Sequence, residues 1–156
     1  MAIACADSGY ILVLDQVSKK LLFDLKMNGR CQSVGFSPDE KYMYSVGDEA
    51  EIYQWDLNMR KCIGRTQDTG GFSTTTMAVS PNGQMVATGS KMGSVNVFHV
   101  DGSTGLLEEK PHKTLMNLTT SITDLNFNHS SELLSFSSKW KKNAFKLAHI
   151  PSYTVF

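Results

Sequence analysis

The chain is 156 residues long and carries 15 basic and 15 acidic side chains, a balance that excludes any whole-molecule pull toward nucleic acid or acidic membranes and makes every charged site a local one. Hydrophobic residues make up 41% of it, ordinary for a globular domain and too many for a disordered one. No stretch approaches the ~18 apolar residues of a membrane span, and residues 1–6 have neither the basic start nor the apolar length of a signal peptide.

In chain order, Met1 to Ala6, the turn Asp7-Ser8-Gly9, Tyr10 to Asp15 and Lys20 to Leu25 alternate short β-prone runs with turn signals. The next unit is the most complete. Gln32 to Phe36, Tyr42 to Val46, Glu51 to Leu57 and Lys61 to Arg65 read as four strands. Ser37-Pro38-Asp39-Glu40 joins the first two as a hairpin, because Pro presets φ and Asp bonds the backbone two residues on. Gly47-Asp48-Glu49-Ala50 joins the next two, and the third run ends in Trp55-Asp56.

A third unit repeats this order through Met85 to Gly89, Lys91-Met92-Gly93 and Ser94 to His99, with Phe98-His99 where Trp55-Asp56 stood. A fourth supplies Ile122 to Phe127, Glu132 to Phe136 and Asn143 to His149, with Ala148-His149 at the same place, and the chain stops around its fourth strand.

Three related segments mark the period: Gly35-Phe36-Ser37-Pro38-Asp39, Ala78-Val79-Ser80-Pro81-Asn82-Gly83 and Leu125-Asn126-Phe127-Asn128-His129-Ser130. Ser80 follows Ser37 by 43 positions and Asn128 follows Ser80 by 48. WD-repeat propeller blades have a period of ~40 to 45 residues and four strands each. The expected fold is therefore all-β, a WD-repeat β-propeller of about three and a half blades. Residues 1–27 supply the last three strands of one blade, 28–67 a second, 68–117 a third and 118–156 most of a fourth. Propellers close with about 4 to 8 blades, so a partial ring of a longer protein is expected, or one completed by a partner.

Cys5, Cys31 and Cys62 are odd in number and lie in or beside expected strands, as reduced intracellular thiols do. No metal site is expected, since His99, His112, His129 and His149 fall on different elements and no clustered ligand motif occurs. No phosphate-binding loop or nucleophile elbow is present. Ser138-Lys139-Trp140-Lys141 matches a serine–lysine catalytic pattern, but in a strand-to-strand loop it reads as coincidence. Asp48, Glu49 and Glu51 read as solvated turn residues, as do Glu108 and Glu109.

In such a blade the loops from second to third strand share a rim with the loops entering each new blade. Of these, Ser138-Lys139-Trp140-Lys141-Lys142 stands out, with three lysines around a Trp. Lysines neutralise phosphates while an aromatic stacks on a base, and Trp is enriched at protein hot spots. Lys139, Trp140, Lys141 and Lys142 are therefore candidates for RNA or protein contact. On the opposite rim the connection from Asp101 to Pro111 is long, reading equally as a contact loop or a flexible insertion. Phe36, Ser45, Asp48, Trp55, Phe98 and Phe127 are the expected structural core of the blades.

The stretch from Met116 to Asn128 with Glu132-Leu133-Leu134, the ending His149-Ile150-Pro151-Ser152-Tyr153-Thr154-Val155-Phe156, and the shorter runs Asn28-Gly29-Arg30, Trp55 to Cys62 and Asn82-Gly83-Gln84 together resemble the U3 small nucleolar RNA-associated protein 18 family. The resemblance covers nearly the whole chain. It implies a non-enzymatic scaffold subunit of the small-subunit processome, the particle in nucleus and nucleolus that contains the U3 small nucleolar RNA and matures the 18S ribosomal RNA precursor. Implied partners are other WD-repeat processome proteins and, through local basic loops, U3 or precursor RNA. No cofactor, small-molecule substrate or membrane is expected. The alternative is a WD-repeat adaptor of another intracellular complex without an RNA role. WD blades often join His, Ser, Asp and Trp in a buried network; Ser45, Asp48 and Trp55 are present without a His before Asn28, so substitutes are expected.

Overall fold

Among the described residues every β-prone run falls in or against a strand, and the regular structure is all β. The structure, a computed structural model, describes residues 1–4, 7–70 and 72–156; Cys5 lies outside them. β1 (Ala2–Ala4), β2 (Tyr10–Leu14) and β3 (Leu21–Lys26) form a three-stranded antiparallel sheet in that order. β4 (Cys31–Phe36), β5 (Tyr42–Gly47), β6 (Glu51–Asp56) and β7 (Lys61–Gln67) form the second sheet. β8 (Thr74–Val79), β9 (Met85–Ser90), β10 (Val95–His99) and β11 (Lys113–Leu115) form the third, and β12 (Asp124–Phe127), β13 (Leu133–Ser137), β14 (Phe145–His149) and β15 (Thr154–Val155) the fourth. Strands adjacent in sequence are adjacent in each sheet, the meander of a WD-repeat blade.

The core is a series of seams between consecutive blades. Side chains alternate across each strand, so a blade with neighbours on both sides needs apolar residues on both faces. Met43, Tyr53 and Trp55 of the second blade pack against Ile11, Val13 and Leu25 of the first. The alternate residues Tyr44, Val46 and Ile52 pack against Met77, Val86 and Phe98 of the third. The third blade's Met85, Ala87, Val95 and Val97 then meet Ile122, Leu125, Leu134 and Phe136 of the fourth. The signature position faces the preceding blade each time: Trp55 in the first seam, Phe98 in the second and Ala148 in the third. Phe36 and Phe127 are half-buried against their seams, while Ser45 and Phe98 are fully buried.

The recurring motif makes the same hairpin three times. Ser37 Oγ accepts from Tyr42 N at 3.0 Å while Asp39 Oδ1 accepts from Lys41 N at 3.1 Å. Ser80 and Asn82 repeat this with Met85 N at 2.9 Å and Gln84 N at 3.0 Å. In the last unit Asn128 Oδ1 alone takes Glu132 N and Leu133 N, both at 2.9 Å. The Ser37 hydroxyl, and after it the Lys41 amide, hold the Asp39 carboxyl below its ordinary range. A second recurrence was invisible in the sequence. β4 and β8 each carry a bulge at their start, between Cys31 and Ser33 and between Thr74 and Thr76.

Candidate functional site

The rim shared by the second-to-third-strand turns and the blade-entry loops is laced together by hydrogen bonds. At blades three and four, Lys91 N donates to Ser73 O at 3.0 Å and Ile122 N to Ser90 O at 3.1 Å. Thr120 Oγ1 donates to Ser138 Oγ at 2.8 Å, and Lys139 N to Thr123 Oγ1 at 3.2 Å. The loops pack so closely that Gly93, at φ +91°, has no room for a side chain: a Cβ there would sit 2.5 Å from Leu118 O. Four separate loops thus form one continuous surface.

Trp140 stands out from this surface, 69% exposed, with the Lys139 ammonium 5.1 Å from its ring centre. Such a cation over an indole face is an attractive pair. Lys139, Lys141 and Lys142 are exposed, while Ser138 beneath them is buried. The turn is closed by Ala144 N donating to Lys141 O at 3.3 Å and by Asn143 at φ 60°. The Ser138 hydroxyl is taken by Thr120, so the serine–lysine pattern places its serine in a loop anchor.

Asp48, expected in the blade core, is exposed and accepts from Gln32 Nε2 at 2.9 Å. The reason is the turn: Ala50 takes the left-handed conformation at φ 52° and is buried, leaving Asp48 and Glu49 to point to water. Trp55 instead donates from Nε1 to Ser45 Oγ alone, at 2.8 Å. The larger buried polar network is one blade further on. Asp68 accepts from Thr74 Oγ1 at 2.6 Å and from Asn96 Nδ2 at 2.7 Å, and Asn96 Oδ1 accepts from Thr114 Oγ1 at 2.6 Å. Asp68 and Asn96 are each 3% exposed. This set ties the entry loop to the third and fourth strands of the blade.

The long connection on the opposite rim is docked. Its Val100 pairs with Leu107, Tyr44 Oη donates to Gly105 O at 3.0 Å and Leu107 N donates to Gln54 Oε1 at 2.9 Å. Burial pushes the Tyr44 phenol far above its ordinary value. Gly105, at φ +72°, lies flat on the Tyr42 ring, where a Cβ would come within 2.6 Å. The loop therefore clamps the third blade onto the second. The same rim brings together His99 and His112, which the sequence had placed on different elements, with ring centres 4.2 Å apart. Among the described residues no group of three His, Cys, Asp or Glu side chains is placed to hold a metal ion.

No protein-family model matches the chain. It is 41% identical over 149 residues to the U3 small nucleolar RNA-associated protein 18 homolog of Mus musculus, covering 96% of this chain and 27% of that protein. The homolog of Arabidopsis thaliana is 39% identical over 150 residues, and the probable U3 small nucleolar RNA-associated protein 18 of Schizosaccharomyces pombe 32% over 149. The chain spans just over a quarter of the length of these curated relatives. An animal, a plant and a fungal protein each align with 96% of the chain, which is on that evidence a homologue, over this stretch, of U3 small nucleolar RNA-associated protein 18.

Proposed function

We propose that this chain is the propeller portion of a non-enzymatic scaffold subunit of the U3-containing small-subunit processome, acting in 18S precursor RNA processing in the nucleolus. The observation that carries it is the identity along 96% of the chain to proteins named for association with U3 small nucleolar RNA. The geometry is in keeping with a structural role: rigid seams, loops fastened to their neighbours, and side chains exposed for contact rather than converging in a cleft. Its partners in this reading are other WD-repeat processome proteins. Lys139, Trp140, Lys141 and Lys142 form its contact loop toward RNA or protein, since lysines attract phosphates and carboxylates alike and an exposed Trp supplies a stacking or anchoring face.

The test is to tag the intact parent protein in cells and sequence the RNA that copurifies after a stringent wash. Enrichment of U3 and 18S precursor RNA is expected. A reproducible set of copurifying proteins without either RNA would overturn the processome assignment in favour of an adaptor of another complex.

A further inference from the structure

The contact loop is one part of a larger surface. Four large apolar side chains stand exposed on the hydrogen-bonded rim of blades three and four: Phe72 at 90%, Met116 at 80%, Trp140 at 69% and Met92 at 60%. Each comes from a different loop, so no single flexible segment accounts for them. Their loops are nevertheless fixed to one another through Lys91 N to Ser73 O, Ile122 N to Ser90 O and Thr120 Oγ1 to Ser138 Oγ. Apolar surface held out on an ordered framework marks an interaction site.

The loops of this rim carry lysines, and the carboxylates that flank them are Asp68, which is buried, and Asp124, which is exposed at the start of β12 and accepts from Thr123 Oγ1 at 3.1 Å. Residues 69–73, 91–94, 116–123 and 138–144 contain Lys91, Lys139, Lys141 and Lys142 and no Asp or Glu. The same rim on the first two blades is opposite in character, with Asp7, Asp48 and Glu49 all exposed and Arg30 their basic neighbour. A chain of zero net charge thus concentrates positive charge around its exposed apolar group.

Resting on the scaffold reading for its setting, we infer that the rim of blades three and four docks an acidic protein segment whose apolar side chains seat among Phe72, Met92, Met116 and Trp140. The side-chain types favour a protein over single-stranded RNA. Methionines are adaptable fillers of peptide-binding surfaces and, with aromatics, are enriched at the centres of protein interfaces, whereas a thioether gives a base no plane to stack on. The Trp140 ring, the best stacking platform present, already holds the Lys139 ammonium near it. Lysines around apolar anchors match a segment with Asp and Glu flanking Leu or Phe.

The experiment is fluorescence anisotropy with the purified full-length parent protein and two labelled probes, a synthetic peptide of Asp and Glu around a central Leu-Phe pair and an oligouridine. The peptide is expected to bind. Affinity should fall about tenfold with Trp140→Ala and about fivefold with Lys141→Glu combined with Lys142→Glu, and the peptide with both anchors changed to Ala should bind at least tenfold more weakly. All three changed positions are exposed, so folding is not at stake. Peptide binding indifferent to these substitutions, no peptide binding, or oligouridine binding that they alone abolish would each overturn the inference. U3 enrichment with no peptide binding sinks this inference and leaves the scaffold reading; peptide binding without U3 enrichment does the reverse.

Discussion

Trp55 and Phe98 occupy equivalent places in consecutive blades, each opposite the residue that follows the hairpin, Met43 or Val86. The exchange of an indole for a phenyl has a consequence two residues along the partner strand. In the second blade Ser45 Oγ receives the indole N–H of Trp55 at 2.8 Å. The equivalent hydroxyl in the third blade, Thr88 Oγ1, is buried without a hydrogen-bond partner, because Phe98 has no N–H to give. An unpaired buried hydroxyl costs roughly 1–3 kcal/mol. Thr88→Val keeps the shape and removes the unpaired group, so it should stabilise the full-length protein by about 1 kcal/mol. Trp55→Phe should recreate the same defect at Ser45 and cost about 1–3 kcal/mol, while Trp55→Ala should cost about 3–5 kcal/mol. Urea denaturation reads all three, and a lower midpoint for Thr88→Val would refute the assignment.

At the scale of elements, the legible features were those written in local chemistry. Turn residues at Ser37 to Asp39 and Ser80 to Asn82 and alternating apolar runs located the strands to within a residue or two, and β12 begins at Asp124 rather than at Ile122. The features that could not be read depend on pairs far apart in sequence. Asp48 looked like the network acid because it stands near Ser45 and Trp55 in the chain, yet the buried acid is Asp68, which is bonded to Thr74 and Asn96 of the third blade, with Thr114 donating in turn to Asn96. Likewise the basic character of the loop at Lys139 to Lys142 was plain, but its grouping with Phe72, Met92 and Met116 needed the loops to be assembled. The docked connection of residues 101–107 is a third case, and it makes a pH prediction. Tyr44 donates to Gly105 O and burial raises its phenol well above the usual value near 10. A raised folded-state value means that the folded protein holds this proton more tightly than the unfolded one. Its contribution is therefore complete below about pH 10 and is lost as pH rises beyond that. Tyr44→Phe should flatten the alkaline fall in stability, measured as the melting temperature from neutral pH upward; an unchanged slope would mean that the clamp does not titrate.

For the whole molecule, the seams set how stability is shared. Among the described residues the blades pack against their sequence neighbours through three separate apolar clusters, around Trp55, Phe98 and Phe136. In such an arrangement stability approximates a sum of blade terms and nearest-neighbour interfaces. Ile122 is the residue that most directly couples the third and fourth blades. It is fully buried, a Cβ on Gly89 would sit 2.7 Å from its Cγ2, and its carbonyl accepts from Thr75 Oγ1 at 2.6 Å. Ile122→Ala leaves that carbonyl bond in place and empties only the side-chain volume, at a cost of about 2–5 kcal/mol. If the seams are energetically separate, the loss should be felt locally. Hydrogen exchange on the full-length variant should then accelerate in β8 to β15 while the amides of β2 to β7 keep their protection. Uniform acceleration across all four blades would instead mean that the propeller opens as one cooperative unit, with closure of the ring outweighing the individual seams.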